Sequence, residues 1–531
     1  MRRTIAAAVV AMSTAVTVLP VVSSQAATTS ASATTRSTAA VSLALRAPGA
    51  ADDSPEAVLD RAVRALGGGV NARGTGRAGT AAVRPDATTA LTELFDVRSR
   101  LSGEDRLEAD ALLARPSDGD RDPFGDGYSV RSTKKCSGVL CLHWVRSTAD
   151  APPSNAWAQK SFVMMNKVWN FEVGKLGYRR PVADRGAGGN NKFDIYLKEL
   201  GRRGVYGYCA PEYRAPGSKF VASGFCVLDD DFAKKQFGAP PAKSLKVTAA
   251  HEFFHAVQFA YDYHEDKWLL ESTATWMEER FADSVNDNRQ YLASGQVRNP
   301  GSPLDVFNPE GLNQYGNWAF WEYLTRRYGS ALVKSVWIQA GAFKGAGFLY
   351  STRALKKVLA RRGGFTANFR NYAAANAIAA RAYPEGRAWP SARLKKAFVL
   401  GRSSRRGVTS TRIDHMAANH VVFRPGSSLT GKRWRLRVVV DAPNRSTGSA
   451  AYLIVKKRKG AWTKKPIALT KKGIGATTFT FSRNAVESAI VTLVNANTSF
   501  RCFKGRPFFT CQGIPTGDNR KFVVQGQVLR R

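Results

Sequence analysis

Hydrophobic and polar positions alternate with different periods in successive parts of the chain. Near the N-terminus, apolar residues recur at helical spacing in 55–66 and 87–114. Short apolar runs bounded by turn residues follow, and they flank an amphipathic helical segment at 156–176. We predict strands from these runs, at 139–145, 192–197 and 219–228. This order predicts a small mixed sheet with a backing helix.

The second half of the chain changes from a helical to an alternating pattern. Residues 245–260 and 266–281 form two helical patterns joined by a turn-prone segment, and further helical patterns continue to 398. Beyond about residue 405, short alternating segments are separated by turns, which is typical of a β-sandwich. We therefore predict an α+β protein in which the mixed sheet and a mostly α-helical half span 131–404. The all-β sandwich spans 405–531.

The N-terminal region has the composition of an exported protein. Met1-Arg2-Arg3 precede an apolar run that ends in small residues, so we predict a secretory signal peptide at 1–26. An Ala-, Ser- and Thr-rich leader follows. The helical, Arg-rich remainder of 27–130 is either a pro-segment or an accessory hairpin. Removal of a pro-segment would leave a mature N-terminus between Arg115 and Lys135.

The net charge and the cysteine content limit the possible binding partners and the cellular compartment of the protein. A formal net charge of +38 predicts affinity for anionic surfaces such as cell-wall polymers, lipid head groups or nucleic acid. The sequence contains no motif for specific nucleic-acid recognition and no second long apolar run for a transmembrane segment, so we predict a secreted protein. Export favours disulfides, although six cysteines allow fifteen connectivities. The cysteines form local couples: Cys136 with Cys141, Cys209 with Cys226, and Cys502 with Cys511.

The most specific chemical signal is the stretch His251-Glu252-Phe253-Phe254-His255. On a helix, His251 and His255 project from one face, one turn apart, as two zinc-binding imidazoles require. Glu252 would lie beside the metal, where its carboxylate can take a proton from a zinc-bound water. The structural alternative is a pair of core histidines whose hydrogen bonds are satisfied by a glutamate.

A catalytic zinc usually takes a third protein ligand, and we predict Glu271 for this role. Glu278 lies on the same helical face and His264 in the connecting turn, so both stay as alternatives. The metzincin arrangement is excluded because Gln258 and Tyr261 stand where it needs glycine and histidine.

The H-E-x-x-H stretch, followed by E-x-x-A at Glu271 to Ala274, resembles the gluzincin metallopeptidases, the clan of thermolysin. It is most similar to a group of secreted bacterial metallopeptidases. The resemblance implies a zincin-like domain, Zn²⁺ on His251, His255 and Glu271, and an oxyanion donor from the C-terminal half, for which Tyr315 is the candidate. Many gluzincins orient a zinc histidine with an aspartate where this chain has Thr275, so that partner is unassigned.

Two further segments carry carboxylates. Asp229-Asp230-Asp231 could bind Ca²⁺, or could form a solvated turn and helix cap. The segment 116–127 has aspartates at alternate positions, but Pro123 and Ser129 stand where a calcium loop needs glycine and glutamate. We interpret it as a linker.

These patterns lead to a functional hypothesis with one rival. We predict a secreted zinc endopeptidase that hydrolyses protein or peptide substrates by Glu252-assisted attack of a zinc-bound water. The strand that ends at Leu228 is predicted to be the sheet edge that pairs with substrate. The rival is a non-enzymatic, envelope-binding adhesin that uses its basic surface and β-sandwich.

Overall fold

This computed structural model describes residues 54–67, 86–121, 127–309, 311–505 and 508–530. The predicted signal peptide, the leader up to residue 53 and part of the predicted linker lie outside the described residues. The helices are α1 (Pro55–Ala65), α2 (Ala87–Val97), α3 (Gly103–Leu112), α4 (Asn155–Trp169), α5 (Lys234–Phe237), α6 (Pro241–Asp262), α7 (Lys267–Ala282), α8 (Asn313–Gly316), α9 (Trp318–Tyr328), α10 (Ala331–Ala340), α11 (Thr352–Ala360), α12 (Gly364–Asn376) and α13 (Ala379–Ala382). The strands are β1 (Thr133–Cys136), β2 (Leu140–Trp144), β3 (Phe193–Lys198), β4 (Gly207–Arg214), β5 (Ala222–Asp229), β6 (Lys396–Leu400), β7 (Arg406–Ile413), β8 (Ala417–Pro425), β9 (Trp434–Asp441), β10 (Ser449–Lys457), β11 (Trp462–Ile467), β12 (Ile474–Thr480), β13 (Val486–Asn495), β14 (Phe500–Arg501), β15 (Ile514–Pro515) and β16 (Arg520–Arg530).

The N-terminal helices begin at polar caps. Ser54 precedes Pro55 and accepts the Ala57 N–H at 3.2 Å, and Asp86 caps α2 in the same way. The helical pattern predicted for 87–114 is two helices, because the chain breaks before Gly103, which has a φ of +56°.

The N-terminal sheet has the strand order β1-β2-β3-β5-β4. Strands β2, β3 and β5 are parallel, whereas β4 runs antiparallel to β5. Within the described part of the chain, β4 is therefore the edge strand beside the inner strand β5. The prediction that the strand ending at Leu228 forms the edge is wrong, because hydrogen bonds from both neighbours occupy β5.

The long helix α6 lies against this sheet and is buried on every side. It begins at Pro241, whose fixed φ suits a first helical position, and its buried stretch runs from Ser244 to Asp262 with one half-buried residue, Lys246. It packs against β5, α4 and α7. Ala274 of α7 is fully buried, which is consistent with close approach of the two helices. A helix buried all round holds its side chains in fixed rotamers, which suits a site that needs fixed geometry.

Residues just before the sheet are anchored in it. The Arg115 guanidinium is buried and pairs with the carboxylates of Asp184, Asp194 and Glu212. The hydroxyl of Tyr128 donates to the Leu197 carbonyl at 2.6 Å. The predicted linker thus begins and ends at residues that belong to the core, and loss of Arg115 would leave buried carboxylates without their cation.

The C-terminal region is built from two sheets, with the strand orders β11-β10-β13-β8-β6 and β12-β9-β16-β7. Side chains of both sheets share one apolar core, as in a β-sandwich. This region begins earlier than residue 405, because β6 pairs in parallel with β8 and Phe398 stacks on Phe423 at 5.4 Å. The helical pattern predicted up to 398 is therefore wrong at its end, where pairing with β8 overrides local propensity.

The predicted α+β class is confirmed, and so are the cysteine couples. The structure pairs Cys136 with Cys141, Cys209 with Cys226, and Cys502 with Cys511. These disulfides fit a secreted protein. Among the residues that the structure describes, no helix has the length and apolar character needed to cross a bilayer.

Candidate metal centre

His251 and His255 of α6 and Glu271 of α7 come together between the two helices. Nε2 of His251 lies 3.3 Å from Oε2 of Glu271, and Nε2 of His255 lies 3.5 Å from Oε1. One candidate ligand atom from each of the three side chains falls within 4.8 Å of the others. The arrangement follows from the one-turn spacing on α6 and from the packing of α7 against it.

The polar atoms of this group test whether a metal fits. Within the described part of the chain, Nε2 of His255 and both Glu271 carboxylate oxygens are buried and make no hydrogen bond. Buried polar atoms are normally paired, so three orphaned atoms around one point call for a cation. Two imidazoles and one carboxylate are a donor set that zinc accepts. The residues present therefore fit Zn²⁺.

Each histidine is oriented by a second side chain through its other ring nitrogen. Nδ1 of His251 lies 2.7 Å from Oε1 of Glu278, and Nδ1 of His255 lies 2.7 Å from Oε1 of Gln258. Gln258 is itself held by Nε2–H donation to the Leu270 carbonyl at 2.9 Å. An oxygen beside Nδ1 favours the proton there, which leaves Nε2 of each ring free to face the metal position.

The alternatives for the third ligand have other contacts. Glu278 binds the outer nitrogen of His251, whereas Nε2 of His264 lies 3.3 Å from Oδ2 of Asp96. Thr275 donates to the Glu271 carbonyl at 2.9 Å and so does not orient a histidine. Glu271 is the carboxylate that faces both Nε2 atoms.

Electrostatics distinguish the two glutamates at the centre. Burial raises the pKa of Glu271, but the positive charge of the neighbouring His255 and His251 rings outweighs burial and lowers the pKa to about 2. Burial raises the pKa of Glu252 to about 7, although both histidines oppose the change. Glu271 is thus suited to remain ionised, and Glu252 to exchange protons near neutral pH.

Glu252 lines a cleft of about 590 Å³. Gly207 of the edge strand leaves room for it, because a Cβ at this position would meet Cγ of Glu252 at 2.9 Å. Other residues line the cleft: Asp86, Tyr206, Thr248, His251, Glu278, Tyr291 and Tyr315. The candidate base Glu252, the candidate ligand His251 and the edge strand thus meet in one space large enough for part of a peptide.

Tyr315 also reaches this cleft, from the short helix α8. Its ring centroid lies 6.2 Å from that of His251, and its hydroxyl donates to Oδ2 of Asp86 at 2.8 Å. The predicted oxyanion donor is therefore near the centre, with its hydrogen directed at a carboxylate of the N-terminal segment.

Sequence reasoning missed four residues of this site: Asp86, Gln258, Gly207 and Thr88, whose hydroxyl donates to Oε2 of Glu252 at 3.2 Å. Asp86 carries the signal of a helix N-cap before Ala87, but no local pattern tells that the capped helix lies over the cleft. Gln258 stands three residues after His255, a spacing that places it on the same side of α6.

The acidic run at Asp229 to Asp231 forms a second polar group. Asp229 accepts backbone N–H groups of Gly201 and Phe232, each at 2.6 Å, and Asp231 accepts that of Ala233 at 2.6 Å. These contacts form the predicted turn, but the prediction of a solvated helix cap is wrong, because Asp229 and Asp230 are buried and α5 begins after Ala233 without a side-chain cap. Carboxylates of Glu199, Asp229 and Asp230 nevertheless lie within 4.8 Å of one another, and in the described part of the chain Oδ1 of Asp230 is buried without a hydrogen bond.

Comparisons with known proteins assign the chain to no family. No family model matches the sequence, and no curated protein matches it. The structure is similar over 24% of the chain to 95% of a Yersinia pseudotuberculosis mitogen, with 10% identity and a TM-score of 0.14. It is similar over 25% to 98% of CorA, a surface-associated copper-binding protein of Methylomicrobium album BG8, with 10% identity and a TM-score of 0.15. A Clostridium thermocellum xylanase 10B matches 25% of the chain over 23% of its own length, with 13% identity and a TM-score of 0.13. Likenesses this weak carry no argument.

Proposed function

We propose that the protein is a secreted, zinc-dependent endopeptidase with a zincin-like, gluzincin-type centre. The observation that carries the proposal is the set of buried, unbonded ligand atoms on His255 and Glu271 that face the same point as Nε2 of His251. A structural zinc site usually has four protein ligands, and the described residues group three here. That difference favours an open, catalytic position over the rival adhesin with a structural metal.

The chain's own residues supply the remaining steps. A zinc ion held by His251, His255 and Glu271 would polarise the peptide carbonyl and make a bound water acidic. Glu252 accepts the proton of the attacking water and returns it to the leaving amine. Tyr315 donates its hydroxyl hydrogen to the oxygen on which charge develops. The backbone groups on the outer edge of β4 hold the substrate as an added strand.

Peptide hydrolysis by the secreted, processed protein tests the proposal, with casein or a peptide library as substrate. We expect hydrolysis to stop on chelation, to return with added Zn²⁺ and to fall by about 10²-fold or more in Glu252→Gln, which lacks the base. The matched control is Glu279→Gln on α7, whose carboxylate accepts from the Asn288 side chain and does not line the cleft. Activity that survives both chelation and Glu252→Gln would refute the enzyme.

A further inference from the structure

The start of α2 lies inside the cleft. Asp86 caps this helix through Oδ1, which accepts the Thr89 N–H at 2.6 Å, while its Oδ2 accepts the Tyr315 hydroxyl at 2.8 Å. Tyr315 is the proposed donor to the substrate oxygen, so its hydrogen is directed at Asp86 instead. A substrate carbonyl would have to displace this carboxylate to receive it.

Thr88 occupies two more groups that a substrate needs. Its hydroxyl donates to Oε2 of Glu252 at 3.2 Å and accepts the Cys209 N–H at 3.0 Å. Glu252 is the proposed base, and Cys209 belongs to the edge strand β4, where this N–H points away from β5. Thr88 is buried, which excludes water from the same contacts.

The rest of α2 covers the edge strand. It packs along β4, and at its far end Asp96 pairs with Arg214, the last residue of β4, at 3.0 Å. Phe95 packs edge-on against Tyr263 at 5.4 Å between ring centroids. An extended peptide could not pair with β4 while α2 is in place.

We propose that α1 and α2 form an inhibitory pro-segment whose residues Asp86 and Thr88 occupy the substrate position of the cleft. The inference rests on the proposed peptidase function. It requires that α2 leave the cleft before substrate enters. It also gives the helical N-terminal segment a role that a plain accessory hairpin lacks.

The contacts of Arg115 limit where the pro-segment can be cleaved. Cleavage after Arg115, within the range expected from sequence, would remove the cation that Asp184, Asp194 and Glu212 surround, so we place the cleavage before Arg115. The chain is exposed around Ser99 and Arg100 and again at 102–105. Hydrolysis of a peptide bond there consumes one water and leaves a new carboxylate and a new amine. It cuts α1 and α2 from the rest of the chain, to which Arg115 stays attached.

A full-length protein with a site-specific protease sequence inserted between Ser102 and Gly103 tests this inference. We expect cleavage to release the N-terminal fragment on gel filtration and to raise peptide hydrolysis at least about tenfold, the effect of freeing Glu252 and Tyr315 from their hydrogen bonds. An insertion that the protease cannot cut is the control. Equal hydrolysis before and after release of the fragment would overturn the inhibitory role.

Binding of a synthetic peptide spanning residues 84–100 gives a readout that does not depend on activity. Calorimetry should show that it binds the cleaved protein, and that a peptide with Asp86→Ser and Thr88→Val binds at least about tenfold more weakly. Serine keeps the helix cap and valine keeps the shape, so both peptides can form the same helix. A Thr92→Val peptide is the control, because among the described residues the Thr92 hydroxyl donates within its own helix, to the Thr89 carbonyl at 2.8 Å.

The two readouts separate this inference from the proposed function. If neither form hydrolyses peptides but the wild-type peptide binds more tightly than the doubly substituted one, the peptidase is refuted and occupation of the cleft is supported. If cleaved protein hydrolyses peptides but the two peptides bind equally, the function stands and the roles of Asp86 and Thr88 are overturned.

Discussion

Glu278 and Gln258 decide how the two candidate zinc ligands are held. Oε1 of each side chain accepts a hydrogen bond from Nδ1 of its histidine, at 2.7 Å in both cases. Such partners fix the tautomer and the ring plane, and their loss typically weakens metal affinity 10- to 100-fold without removing a ligand. A ligand and an orienting residue therefore differ in how much metal their substitution removes.

Metal content separates Glu271 from Glu278. We expect Glu271→Ala to lose stoichiometric zinc, because two imidazoles remain and the buried position has no carboxylate. We expect Glu278→Gln to retain zinc at saturating metal, with affinity about 10- to 100-fold lower, because the amide oxygen can still accept from Nδ1. Elemental analysis after dialysis against a graded chelator measures both. Full zinc in Glu271→Ala with loss in Glu278→Gln would reverse the assignment.

Tyr315 is the residue whose chemical role rests on one hydroxyl. We expect Tyr315→Phe in the cleaved protein to lower kcat by about 10²-fold with a smaller change in KM, because donation to the developing oxyanion matters most in the transition state. Tyr291→Phe is the control, since its ring lies tilted against that of Tyr315 with 5.3 Å between the centroids, and it lines the same cleft. Steady-state kinetics that show equal losses in both variants would contradict the role.

At the scale of elements, local patterns predicted the centre better than its surroundings. The patterns at 245–260 and 266–281 match α6 (Pro241–Asp262) and α7 (Lys267–Ala282) closely, because long runs without Gly or Pro determine helices locally. The order of β4 and β5 in the sheet could not be predicted from the sequence, because strand pairing depends on contacts between residues distant in sequence. The position of α2 over the cleft was hidden for the same reason.

Arg115 shows how an element outside the sheet completes it. We expect Arg115→Met to lower the free energy of unfolding by about 3–5 kcal/mol, because Asp184, Asp194 and Glu212 would be left without their buried cation. Arg106→Ala is the control, because its exposed pair with Asp110 on α3 contributes about 1 kcal/mol or less. Urea unfolding midpoints measure the difference, and equal midpoints would refute the argument.

The turn after β5 makes a separate prediction about calcium. The unbonded, buried Oδ1 of Asp230 lies in a group with Glu199 and Asp229, so we expect millimolar Ca²⁺ to raise Tm by about 2 °C or more. Asp230→Asn should abolish the shift. Asp231→Asn should keep it, because asparagine can still accept the Ala233 N–H. Thermal unfolding with and without Ca²⁺, with Mg²⁺ alongside, decides between a calcium site and a turn.

At the scale of the whole molecule, the β-sandwich is joined to the helical half by polar contacts. The carboxylate of Asp266, the residue just before α7, accepts the Cys511 N–H at 2.9 Å, and Asp305 accepts the Thr510 N–H at 3.0 Å. His415, between β7 and β8, bridges Asp305 and Asp518 through its two ring nitrogens. The helix that carries Glu271 is therefore fixed at its start by the sandwich, which predicts that the two regions unfold together.

His415 makes this junction depend on pH. Burial opposes its charge, but Asp305 and Asp518 outweigh burial and raise its pKa from 6.5 to about 10. A folded-state pKa above the unfolded value contributes stability that is complete below about pH 6.5 and is lost as pH rises through about 10. We expect the wild type to lose roughly 5 kcal/mol of unfolding free energy from this source across that window, at about 1.4 kcal/mol per pKa unit. His415→Gln, which can bond but not ionise, should be less stable at pH 6 and should differ little from the wild type at pH 10.5. Urea unfolding at both pH values measures the two differences.

His420→Gln is the control, because burial lowers the pKa of that histidine to about 4 and it stays neutral throughout. A wild-type advantage over His415→Gln that is equally large at both pH values would mean that the contact does not depend on the charge of His415.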